Sequence, residues 1–226
     1  MTKSNAMKKL HDDLFLVIYN KPSGIPVQAD KTGDTPLLEI AEKYAKRTLH
    51  LVHRIDRPVS GAVLLAKTKA VMTALTEQFK NRQIDKEYLA IVGVLPPEQE
   101  GTLVHFLKKN STKNISVVSA EETPGSERAE LKYRVLGSSD RYHLLQIQLL
   151  TGRHHQIRAQ LAAIGCPIRG DVKYGFKRAN KNRSIDLHAW KLAFEHPHSG
   201  ETLTIEAPLP EEPVWQAFKP MLEKEI

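Results

Sequence analysis

The sequence holds a single cysteine, Cys166, among 226 residues. One cysteine excludes a disulfide framework and a cysteine-built zinc site. No apolar run approaches the roughly 20 residues of a membrane helix. The N-terminus lacks the basic, apolar and small-residue succession of a secretory signal. These absences predict a cytoplasmic protein with no membrane partner. There is no P-loop and no dinucleotide fingerprint, so no cofactor is expected. No Gly-x-Ser-x-Gly elbow is present, which argues against a hydrolase. The histidines do not make a metal site by pattern. His154 and His155 are adjacent and diverge on a helix, His196 and His198 flank Pro197, and no His-Glu-x-x-His occurs. No metal is expected. Internal repeats and low-complexity linkers are also missing.

Basic residues are in excess. Lys and Arg number 33 against 26 Asp and Glu, a net charge of +7, and the pI is near 9.4. That balance fits a polyanionic partner. It fits a merely soluble basic protein equally well, so only cations placed beside chemistry decide. A 41% hydrophobic fraction supports a real core. Ser4-Asn5-Ala6 before Met7 reads as an expression scar, so residues 1–6 are set aside and 7–226 read as one domain.

Leu14 to Tyr19 is a continuous apolar run, read as a buried strand that ends at the turn-forming Asn20-Lys21-Pro22-Ser23-Gly24. Thr35-Pro36 opens a helix to about Arg47, with Pro at its first position. Strands follow at Leu49–Arg54 and Gly61–Lys67. Thr68 caps a helix to about Arg82, with Val71, Leu75 and Phe79 on one face. Glu87–Leu95 reads as a strand stopped by Pro96-Pro97. Short strands fit 101–107, 114–119 and 129–136, and the polar stretch 110–128 reads as a mobile loop. Tyr142–Leu150 is a long strand. A helix runs from about Arg153 to Ile164 and ends at Gly165 before Pro167. Leu187–Phe194 and Leu203–Ala207 pair as a hairpin across His198-Ser199-Gly200. A short C-terminal helix is interrupted at Pro220. Three main helices between runs of strands predict an α+β fold with a large mixed, mainly antiparallel β-sheet and a few flanking helices, in which two subdomains could flank a central cleft.

Two segments concentrate chemistry. In His53-Arg54-Ile55-Asp56-Arg57-Pro58-Val59-Ser60-Gly61, an extended chain puts Arg54 and Asp56 on one face, with His53 and Ile55 on the other. Pro58 fixes the turn and Gly61 permits tight backbone packing. A carboxylate at a strand end between two arginines suits work on an anionic ligand, and the cations keep it ionised. A surface ion pair at a turn is the plainer alternative. In Gly152-Arg153-His154-His155-Gln156-Ile157-Arg158, Ile157, Leu161 and Ile164 recur at core spacing. His154 and Arg158 lie on another stripe near the helix start, where an Arg can hold a carboxylate from elsewhere in the fold or a phosphate. A solvated basic helix end is the plainer alternative here.

These segments together resemble the RluA-type family of pseudouridine synthases. The family block His-Arg-Leu-Asp with a Thr-Ser-Gly turn stands here as His53-Arg54-Ile55-Asp56 with Val59-Ser60-Gly61. Its second block, Gly-Arg-x-His-Gln-Ile-Arg followed by Gly-x-Pro-Ile-x-Gly-Asp, stands at 152–158 and 165–171. Asn20 to Gly24, Lys86-Glu87-Tyr88 and Leu187-His188-Ala189 are further landmarks in the family's order, from about 14 to 210. Ile55 replaces Leu, Val59 replaces Thr, and Gln160 stands where His is usual.

The resemblance implies an isomerase that turns uridines of tRNA or rRNA into pseudouridine. It makes Asp56 the essential carboxylate, which attacks the sugar or takes a sugar proton. Arg158 becomes its ion-pair partner, and Tyr88 the base-stacking residue that removes the carbon 5 proton. Arg54 fills the stack vacated by the flipped uridine, since enzymes acting on a base extrude it. Arg57, Lys21, Lys67, Arg153 and His155 become RNA contacts. No separate N-terminal RNA-binding domain is expected, and a monomer is. The alternative is a non-catalytic RNA-binding protein with the same fold.

Overall fold

A computed structural model describes residues 8–223. The chain opens with β1 (Lys8–Asp12), β2 (Leu16–Lys21), α1 (Leu37–Ala45), β3 (His50–Leu51), β4 (Ser60–Ala66) and α2 (Lys69–Lys80). Next come β5 (Asp85–Val92), β6 (Glu100–Asn110), β7 (Ile115–Ser119), β8 (Glu127–Ser138) and β9 (His143–Leu149). Last are α3 (Gln156–Ala163), a 3-10 turn (Val172–Tyr174), β10 (Leu187–Glu195), β11 (Thr202–Glu206) and α4 (Pro213–Leu222). The α+β class and its strand-rich, mainly antiparallel character agree with expectation. The expression-scar reading of residues 1–6 lies outside the described residues.

The chain divides into two compact units. The first comprises residues up to Asp85 together with Ala189–Pro208, the second Lys86–His188 with the chain from Leu209. In the first, β2 pairs antiparallel with β1 and β4, β3 with the end of β4, and β10 with β11. Leu16, Ile18, Leu64, Leu75 and Phe194 form its buried core. The Thr68 side chain accepts the Val71 N–H and starts α2, which lays Val71 and Leu75 into that core. Gly61 has φ of +118°, and a Cβ there would lie 2.2 Å from the Ala189 carbonyl oxygen. Only glycine lets β4 and β10 approach that closely, which is the tight packing expected of this residue.

In the second unit the order is β5-β9-β8-β6-β7, with each neighbouring pair antiparallel. Leu107 on β6, Ala129 on β8 and Ala159 on α3 share one buried cluster, with Val118 and Tyr174 packed against it. Gly137 on β8 makes room for α4, since a Cβ there would meet Met221 Sδ at 2.3 Å.

Several expectations need correcting. β1 forms although Lys8-Lys9-Leu10-His11-Asp12 has no apolar alternation to announce a strand. The strand expected over 49–54 pairs only at His50–Leu51, after which the chain leaves the ladder as a loop. The mobile-loop reading of 110–128 gives way to the short strand expected at 114–119, which forms as β7 and is tied to Phe106–Asn110 of β6. Helix α3 begins at Gln156 rather than near Arg153, because His155 is left-handed at φ 51°. Pro220 does not interrupt α4. It sits in the last turn, where its missing N–H removes a single ladder bond.

Candidate active site

Asp56 lies on the turn between β3 and β4, closed by the Val59 N–H on the Asp56 carbonyl at 3.1 Å. Arg54 is exposed, Ile55 is buried and Asp56 is half-buried. This burial pattern agrees with Arg54 and Asp56 facing away from the core. His53 sits beneath, with Nε2 accepting the Leu64 N–H at 3.0 Å and its ring stacked on Phe79.

A second turn, Lys21–Ile25, braces the first. Gly24 N–H donates to the Arg57 carbonyl at 2.8 Å, and Arg57 Nε donates back to the Gly24 carbonyl at 2.9 Å. Lys21 is 0% exposed. Its ammonium donates to the carbonyls of Pro22 (3.0 Å), Ile25 (2.8 Å) and Arg57 (3.2 Å). Burial pushes Lys21 down to about 7, opposed by the negative charge of Asp56 and reinforced by Arg57. Lys21 is therefore a cross-link between two turns. The expected phosphate contact is corrected, because its three protons are committed and water does not reach it.

Two more expected phosphate contacts are occupied by protein. The Arg57 guanidinium holds Asp30, Thr32 and Asp34 besides Gly24, so it organises the loop before α1. Lys67 donates to Asp12 Oδ1 at 2.6 Å and to the Asp13 carbonyl, tying the end of β4 to the β1–β2 turn. A lysine or arginine beside a motif carries no mark of which partner takes it, so the sequence could not separate these cases.

In the second unit Tyr88 is half-buried on β5, opposite Ile147 of β9. Arg158 is 5% exposed and grips Asp171, itself 2% exposed. Nε donates to Oδ2 at 2.7 Å and Nη2 to Oδ1 at 3.0 Å. The guanidinium carbon also lies 5.1 Å from the centre of the Tyr174 ring. The sequence reading did not single out Asp171, although its Gly170-Asp171 dipeptide stands inside the second family block. The entry to α3 is set by Gln156, whose Oε1 accepts from Thr151 Oγ1 at 2.8 Å and the Arg153 N–H at 3.0 Å. The Arg153 side chain pairs with Glu127 at 2.6 Å. His155 stacks on His154 and meets the Tyr174 hydroxyl at 3.0 Å.

Gln160, the departure from the family's His, is fully buried. Its Nε2 reaches the carbonyls of Leu103 and Ala129 and the ring of His105, so it ties α3 to β6 and β8. Among the described residues no group of three or more His, Cys, Asp or Glu could hold a metal ion, and no helix is long and apolar enough to cross a membrane.

The family model described as RNA pseudouridylate synthase matches residues 15–163, a span that includes Asp56, Tyr88 and Arg158. The chain is 34% identical over 212 residues to the ribosomal large subunit pseudouridine synthase C of Buchnera aphidicola subsp. Baizongia pistaciae, covering 88% of this chain and 66% of that protein. It is also 34% identical over 211 residues to the uncharacterized RNA pseudouridine synthase YlyB of Bacillus subtilis, covering 89% and 69%. It spans just under two thirds of the length of the first of these. Among solved structures, human RNA pseudouridylate synthase domain containing 4 superposes with a TM-score of 0.74 at 27% identity, over 95% of this chain and 92% of that one. Human RNA pseudouridylate synthase domain containing 1 shares the fold, with a TM-score of 0.77 at 24% identity, over 96% and 89%. The chain belongs to the RNA pseudouridylate synthase family.

Proposed function

We propose that this protein is an RNA pseudouridine synthase, an isomerase acting on uridines of structured RNA. The observation that carries the reading is the Asp56 turn: a half-buried carboxylate fixed from behind by Lys21, Gly24 and Arg57, in a chain of this family. Curated relatives named ribosomal large subunit pseudouridine synthase C favour rRNA as the target, with tRNA as the other candidate.

The reaction breaks the bond from C1′ of the ribose to N1 of uracil and joins C1′ to C5. A proton leaves C5, and N1 ends with one. Atoms and electrons balance within the substrate, so the chemistry calls for no cofactor and no metal. Asp56 is the essential carboxylate, attacking the sugar or taking a sugar proton. Tyr88 stacks on the base and removes the C5 proton. Arg158, held rigid by Asp171, supplies fixed positive charge. Arg54, exposed beside Asp56, fills the stack that the flipped uridine leaves. Arg153 and His155 belong to the RNA-contacting surface. A cytoplasmic monomer is the form we assign.

The test is tritium release from rRNA and tRNA transcripts labelled at carbon 5 of uridine. Release above the enzyme-free rate is expected with at least one of them. RNA affinity without release from either would instead support a binding protein with this fold.

A further inference from the structure

The chain's positive surplus is not spread evenly. Residues 173–183 read Lys-Tyr-Gly-Phe-Lys-Arg-Ala-Asn-Lys-Asn-Arg, with five cations and no carboxylate. That segment alone supplies +5 of the +7 net charge. Lys173, Lys177, Arg178, Lys181 and Arg183 are all exposed. Arg57, Arg153, Arg158 and Arg169 each pair with a described carboxylate. No ion pair to a described residue engages any of the five strap cations.

The backbone carrying these cations is nonetheless anchored. Tyr174 OH accepts the Ser116 N–H at 2.7 Å, and Lys173 Nζ reaches the Asn114 carbonyl at 3.2 Å. These two bonds seat the start of the strap on the β6–β7 hairpin. The Phe176 N–H donates to the Asp171 carbonyl, and Arg183 N–H to the Asn180 carbonyl. Asn180 donates to Asp186 at 3.0 Å and to Ser184, and Asn182 donates to Glu212 at 3.1 Å. A Cβ on Gly170 would lie 2.7 Å from Asn180, so the strap closes tightly on the chain before it. Lys173 and the polar non-ionic side chains hold the segment to the protein, and the other four cations are left over. A solvated linker needs no such anchoring. A surface that receives a chain of phosphates needs fixed backbone and uncommitted cations.

We propose that residues 173–183 form a phosphate-binding strap that docks the RNA substrate by its backbone. The strap carries no base-reading specificity. It supplies sequence-independent affinity, which suits a protein whose Lys21, Arg57 and Lys67 are committed to the fold. The proposal rests on the pseudouridine synthase reading for the identity of its polyanion. An anionic membrane is the competing partner, and the strap has no apolar face to insert, since its two aromatics are both half-buried.

The test is the salt dependence of binding to a tRNA transcript and an rRNA-fragment transcript by Lys177→Gln/Arg178→Gln/Lys181→Gln, none of which anchors the strap. Each lost phosphate contact lowers the slope of log affinity against log salt by about 0.7–0.9. The triple variant is expected to lose about 2 from the slope and about tenfold or more in affinity at low salt, with an unchanged thermal midpoint. Lys177→Arg/Lys181→Arg keeps the charge and is expected to bind as wild type. An unchanged slope in the Gln variant overturns the proposal. So does wild-type binding to phosphatidylserine vesicles as tight as to RNA. Binding is read without turnover, so the two readings fail separately. Loss of affinity in a protein that releases no tritium leaves the strap standing and removes the catalytic reading. Turnover with unchanged affinity does the reverse.

Discussion

Arg158 and Asp171 close a two-bond fork out of reach of water, with Nε to Oδ2 at 2.7 Å and Nη2 to Oδ1 at 3.0 Å. Removing one partner of a buried pair leaves an uncompensated charge, at a cost of about 3–5 kcal/mol. Arg158→Met is therefore expected to lower the unfolding free energy by about that much, measured by denaturant titration. Arg158→Met/Asp171→Leu removes both charges and is expected to recover most of the stability. Tritium release should stay lost in the double variant if the guanidinium serves the reaction. Recovery of activity along with stability would make Arg158 a purely structural residue.

Lys21 makes a second prediction, through pH. The unfolded chain keeps this proton to about its ordinary 10.5, whereas burial brings the folded group to about 7. Between those values the unfolded state binds the extra proton, so stability rises with pH, by at most about 1.4 kcal/mol per unit. Below about 7 both states hold the proton, and the cost of burying the charge is fully present. Lys21→Met is expected to lose this upward slope between pH 7 and 10. It should also be less stable at pH 7 by about 1–3 kcal/mol, because the carbonyls of Pro22, Ile25 and Arg57 lose their donor. Equal slopes in variant and wild type would show that Lys21 does not titrate in this window.

Gly61→Ala tests the approach of β4 to β10. A methyl group 2.2 Å from the Ala189 oxygen at φ +118° cannot be accommodated by a rotamer change. The strands must separate just after the Asp56 turn. A loss of about 3 kcal/mol or more is expected, read as a lower thermal midpoint or insolubility.

Tyr88→Phe keeps the ring on β5 and removes the hydroxyl. If that hydroxyl takes the C5 proton, single-turnover tritium release slows by about 100-fold or more, with RNA affinity retained. A loss below about fivefold would leave Tyr88 as a stacking residue only.

What the sequence disclosed depended on whether a residue's role is local. Thr68, Gly165 and the apolar face of α2 act through neighbours a few positions away, and each is where its pattern placed it. The alternation at Arg54, Ile55 and Asp56 survived even though the segment leaves the ladder, because burial of Ile55 alone fixes it. The fates of Lys21, Arg57 and Lys67 are decided by groups up to 55 positions away, and side-chain type is silent about such partners. Asp171 is the reverse case: it stands inside the second family block, but a carboxylate 13 positions from Arg158 carries no local mark that the two close a buried pair. The strap at 173–183 was legible as charge density, yet only its anchoring bonds distinguish it from a linker.

Asp56→Asn tests the central claim most directly. The substitution keeps the size of the side chain and the turn's Val59-to-Asp56 backbone bond, and removes the charge by replacing one carboxylate oxygen with an amide NH2. Pseudouridine formed in a single turnover at saturating enzyme should be undetectable. RNA binding should stay within about tenfold of wild type, or about 1.4 kcal/mol. Near-normal pseudouridine formation by the Asn variant would contradict the assignment of Asp56.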